Sequence, residues 1–173
     1  MTNKNIKMTK RKTTKRKIKS HFNSILNKNE YAWQIYNGYI HKENPIESAT
    51  NIFLAILEEK PNYLPSLLEI GNIYYDQKKF KKALEYYEKF TKISIKIDSE
   101  RKNIYFINEI RNILLKIGII YENINQYDKA NKIFKNLSLK KKVGKFDNDP
   151  IDLAKDRLNA HEQLNKIGLK IGI

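Results

Sequence analysis

At 173 residues the chain is long enough for one ordinary domain plus a tail. It contains no cysteine, which excludes disulfides, thiolate metal sites and thiol nucleophiles together and suits a reducing compartment. The formal charge of +15, from 34 Lys+Arg against 19 Asp+Glu, is unevenly spread.

Residues 1–29 hold ten Lys or Arg and no acid, leaving only +5 for the remainder. With Lys10, Arg11, Lys12, Lys15, Arg16 and Lys17 at its centre, this segment is expected to be a disordered basic arm, because charged stretches of low hydrophobicity cannot bury enough apolar surface to fold. Such an arm suits nucleic acid or another acidic surface, since clustered cations gain affinity by releasing counterions. Nuclear import and organelle targeting stay open as roles. So does compositional drift: the chain has 29 Lys, 26 Ile and 20 Asn, residues whose codons are almost wholly A and T. An AT-rich genome, such as that of a plastid, a reduced bacterium or some protists, would produce this bias without a functional cause. The start of the chain lacks the apolar core of a secretory signal, and no apolar run of 18 residues exists, so no membrane span is expected.

After the arm, one order of residues recurs three times. Trp33, Tyr36 and Ile40 are followed by Ile46, Ala49, Phe53, Ile56 and Pro61. Leu67, Ile70-Gly71 and Tyr74 are followed, past the polar break Asp76 to Lys79, by Phe80, Ala83, Tyr87 and Phe90. Leu114, Ile117-Gly118 and Tyr121 are followed by Tyr127, Ala130, Phe134 and Leu137. Spacings of 3 and 4 place each group on one helix stripe. A glycine beside the first stripe and an alanine on the second allow the two helices of a pair to approach closely. The expected pairings are Gly71 with Ala83 and Gly118 with Ala130.

This pattern resembles the tetratricopeptide repeat, with units at about 30–63, 64–97 and 111–144. The first unit departs from it, having Asn37 where a small residue is expected. Residues 98–110 form an insertion in which Ile107, Ile110 and Leu114 continue the stripe upstream, so the third unit's first helix is expected to start near Glu100 with Ser99 as N-cap. Pro150, tolerated in a first helical turn, announces a capping helix over about 150–171. A stack of repeats needs such a cap to cover its last apolar face. The resemblance implies an all-α, right-handed superhelix of three helix-turn-helix repeats plus the cap.

No Gly-rich phosphate loop and no nucleophile elbow is present, and His21, His41 and His161 are too far apart to suggest ligand spacing. No catalytic residues, metal or cofactor are therefore expected. The resemblance implies instead a noncatalytic scaffold whose concave surface, lined by the first helix of each pair, holds a protein or peptide segment. Carried over residue by residue, that lining would include Tyr31, Gln34, Gly38 and Lys42, then Leu68, Asn72 and Tyr75, then Leu115, Lys116, Ile119 and Asn123. Family members that clamp the C-terminal carboxylate of chaperones use Lys, Asn and Arg there; Gln34, Gly38 and Glu69 do not fit that chemistry, and only Lys116 does. Given the AT bias, one setting is the plastid-encoded tetratricopeptide proteins of photosystem I assembly. The alternative is an RNA-binding helical-repeat protein that meets phosphates with the arm and with Lys78-Lys79, Lys81-Lys82 and Lys140 to Lys142.

Overall fold

Helix α1 spans residues 24–36, followed by α2 (Pro45–Glu59), α3 (Leu64–Asp76), α4 (Phe80–Arg101), α5 (Ile104–Asn123), α6 (Tyr127–Ser138) and α7 (Pro150–Lys166). The computed structural model describes residues 24–101, 104–141 and 149–166, with the backbone alone for 98–101 and 104–106; no strand occurs among them. The arm cations Lys10 to Lys17 and the expected end of the capping helix lie outside the described residues. The chain divides into two units, with the boundary inside α3 after Ile73.

The first unit contains α1, α2 and most of α3. Ile25, Ala32 and Ile35 of α1 and Ala49, Phe53 and Ile56 of α2 are buried, each stripe following helical spacing. A hydrogen bond of 3.0 Å from Ser66 Oγ to Asn29 Oδ1 ties α3 to α1, and Lys28 pairs with Glu59 of α2.

Helix α1 ends earlier than the repeat spacing predicts. Gly38 takes φ +78°, the left-handed conformation that favours glycine; its N–H bonds to Ile35 O, and the Tyr39 N–H bonds to Gln34 O at 2.8 Å. These two bonds form a Schellman cap, and the apolar contact that often accompanies one is present as Trp33 stacked on Tyr39, with centroids 5.6 Å apart. Trp33, expected in the core, is 36% exposed because it closes this cap instead. Ile40 likewise lies in the connection and not on a helix. Gly38 ends a helix and does not line one.

The second unit holds the end of α3 and α4 to α7. Caps of the same kind follow α3 and α5. Lys78 (φ 56°) and Asn125 (φ 59°) occupy the left-handed position, with Lys79 N–H bonded to Tyr74 O at 2.9 Å and Gln126 N–H to Tyr121 O at 2.8 Å. Ala83 and Ala130 each lie five residues beyond these caps, whereas Ala49 lies eleven beyond Gly38, so the first connection is the odd one.

The insertion is shared between two helices. Helix α4 runs on to Arg101 and α5 begins at Ile104, so Ser99 lies inside α4 and is not an N-cap. Between α5 and α6 the close approach is made by Gly118 against the ring of Phe134, where Gly118 was expected to face Ala130. Tyr87 and Phe134 are fully buried, each worth roughly 2–3 kcal/mol in burial. Helix α7 is capped by Asp149, whose Oδ1 accepts the Ile151 N–H at 2.8 Å, with Pro150 in the first turn as expected.

Candidate partner-binding site

Of the eleven residues expected to line a binding surface, Gly38 ends α1; of the other ten, Tyr31, Gln34, Lys42, Leu68 and Asn72 belong to the first unit and Tyr75, Leu115, Lys116, Ile119 and Asn123 to the second. In the first unit, Tyr31 is 41% exposed with Lys42 Nζ 5.9 Å from its ring centroid, a cation–π contact. Gln34 donates to Glu30 one turn away at 3.0 Å, so its amide is engaged within α1. Leu68 and Asn72 are half-buried on α3.

In the second unit the structure brings Tyr75 and Lys116 together. Lys116 Nζ lies 5.5 Å from the Tyr75 ring centroid and 5.9 Å from that of Tyr87. Tyr75 packs in turn against Phe80 and Tyr87, at 6.2 and 6.4 Å between centroids. The lysine stem therefore runs along aromatic surface with its charge over the ring faces, which holds one cation at a fixed place on a half-open helix face. Burial, the largest cause, raises the Tyr75 hydroxyl pKa above its ordinary value; the Arg157 guanidinium opposes the rise, and Asp76 and Glu122 add to it.

Leu115 does not join this surface. It is 7% exposed and packs into a cluster with Ala130, Phe134, Leu137 and Ala154, while Ile119 is partly buried against the same cluster. Helix α7 explains this: its stripe of Ile151, Ala154, Leu158 and His161 lies on the α5–α6 pair and takes Leu115 out of solvent. Asn123 is exposed and donates to Ile119 O at 2.8 Å within its own helix.

A polar cluster that spacing alone did not reveal fastens α7. Glu122 of α5, whose side chain is 10% exposed, accepts from Arg157 and lies 2.8 Å from His161 Nε2. The other ring nitrogen, Nδ1, stands 2.6 Å from Asn131 Oδ1 of α6, and Tyr127 meets the imidazole edge-on at 5.8 Å. The signal was available: His161 falls in step with Ile151, Ala154 and Leu158, so the α7 pattern places it on the buried face. This arrangement joins three helices.

Among the described residues no group of three His, Asp or Glu side chains is placed to hold a metal ion, and no helix is long and apolar enough to cross a membrane.

Paired helices, the close approach of Gly118 to Phe134 and caps repeated after α1, α3 and α5 define a helical-repeat protein. Residues 65–95 and 113–139 each match a family model described as tetratricopeptide repeat, and these two segments are tetratricopeptide repeats. No curated protein matches the chain.

Proposed function

We propose that the protein is a noncatalytic scaffold that holds a segment of another protein, and that in the second unit the contact surface centres on Tyr75 and Lys116. The observation that carries this reading is the lysine held over Tyr75 on a half-open face, one residue beyond a leucine committed to the core. A preplaced cation beside aromatic surface favours a partner segment with an acidic or carbonyl-rich stretch next to an apolar one. The setting proposed is assembly of a multisubunit complex in a plastid, of the photosystem I kind, which the Lys-, Ile- and Asn-rich composition supports.

The test is affinity purification from the native source with wild-type, Tyr75→Ala and arm-deleted proteins. Loss of the same protein partner with Tyr75→Ala, at unchanged helicity, is the expected result. Recovery of RNA that is shed steeply with added salt and requires residues 1–29 would favour the nucleic-acid alternative. Subunits of a photosynthetic complex among the partners would support the plastid setting, and their consistent absence would remove it.

A further inference from the structure

The insertion that separates the two matched repeats builds a surface of its own. Helix α4 ends and α5 begins outside the segments that match the repeat models, and Ile107, Ile110 and Arg111, which lie between those segments, line an open cleft of about 690 Å³ together with residues of the segments themselves. Ile107, Arg111 and Leu114 form a row along α5 at spacings of 4 and 3. Ile95 of α4 and Ile133 of α6 stand on either side, with Lys140 at the rim. Ile95 is 55% exposed, so the cleft has an apolar wall open to solvent.

Its polar content is one-signed. Among the described residues, Arg111 and Lys140 line the cleft and no acid does. Arg111 Nη2 donates to Lys141 O at 2.9 Å in an exposed bond, which fixes the guanidinium. A carboxylate is the acceptor that a guanidinium held in one place takes best. The aliphatic row has the pitch of a helix ridge, the shape that packs into the groove between side-chain rows of a second helix.

We infer that this cleft docks an amphipathic helix of a partner protein, one that presents branched aliphatic residues along one face and an Asp or Glu placed to reach Arg111. The site stands on different residues from the Tyr75–Lys116 surface. It is a second point of attachment, so the scaffold joins two partner elements at once.

The probe is a dye-labelled amphipathic helical peptide with Leu or Ile at alternating third and fourth positions and one Glu at the edge of that face, titrated into the full chain. A second peptide differs only by Lys in place of the Glu. The Glu peptide is expected to bind saturably and at least about tenfold more tightly than the Lys peptide, the size of one charge-assisted hydrogen bond. Ile95→Asp, at an exposed position that leaves the fold intact, should weaken the Glu peptide about tenfold or more. Arg111→Gln should abolish the difference between the two peptides, and Tyr75→Ala should leave both affinities unchanged. Equal affinity for the two peptides, absence of saturable binding, indifference to Ile95→Asp, or dependence on Tyr75 in place of Arg111 would each overturn the inference.

Discussion

Gly118 on α5 lies flat against the ring of Phe134 on α6: a Cβ built on the glycine would stand 2.8 Å from Phe134 Cζ and closer still to Cε1. Phe134 is fully buried, so the ring has nowhere to retreat. Alanine would gain roughly 0.5–1 kcal/mol from helix propensity, but the overlap costs about 1–3 kcal/mol. Gly118→Ala is therefore expected to lower stability on balance, as read from the denaturant midpoint. Combining it with Phe134→Leu should recover part of the loss. Additive effects in the double variant would show that the two residues do not share one contact.

The left-handed caps make a second, separable prediction. A Cβ at Gly38 meets nothing within 4 Å, so Gly38→Ala is penalised through its φ of +78° alone, by about 1 kcal/mol. Lys78 bears a similar strain already at φ 56°, and Lys78→Gly should raise the melting temperature, with a gain of about 0.5–1 kcal/mol. Asn125→Gly should change little, because asparagine tolerates this conformation. Equal responses at Lys78 and Asn125 would contradict the cap assignment.

Glu122 connects Arg157 and His161, and the connection holds α7 in place. Glu122→Gln keeps the shape and removes the charge. Since Arg157 is 43% exposed and solvates readily, the loss falls mainly on His161, at about 1–3 kcal/mol. Amide hydrogen exchange should accelerate over α7 before the rest of the second unit opens. Exchange that quickens evenly across α4 to α7, or not at all, would show that α7 is held by its apolar stripe alone.

Four tyrosines, Tyr63, Tyr75, Tyr86 and Tyr121, have hydroxyl pKa values raised first of all by burial, and Tyr121 is raised further by the charge of Glu88 and by its hydrogen bond to that carboxylate. The folded state therefore keeps these protons where the unfolded chain gives them up. Their contribution is complete below the unfolded value of about 10 and is lost as pH rises through the folded values. Stability should fall with pH above about 10. Tyr121→Phe, which loses the 3.1 Å bond to Glu88, should make that fall shallower while lowering the plateau at neutral pH. The comparison is made on urea midpoints across the alkaline range.

Much of the architecture was legible from local pattern. Leu67, Ile70, Ala83, Tyr87, Ala130, Phe134 and Leu137 are buried in the order their spacing implied, because a 3–4 stripe turns into one helix face whatever surrounds it. The first helix was misplaced because the 34-residue period set Trp33 opposite Leu67. Gly38, the local stop signal, outweighed that period and moved the helix toward the N-terminus.

The residues alone settled that the chain is helical, that alanines and aromatic residues at helical spacing face the core, and that no cysteine chemistry is available, since these follow from neighbours along the chain. Packing decided the rest. Whether Leu115 faces solvent or core, how the insertion divides between α4 and α5, and that Glu122 meets Arg157 and His161 all depend on how α7 and the lengthened helices dock. Those contacts join residues some 30 positions apart, and no local periodicity encodes them.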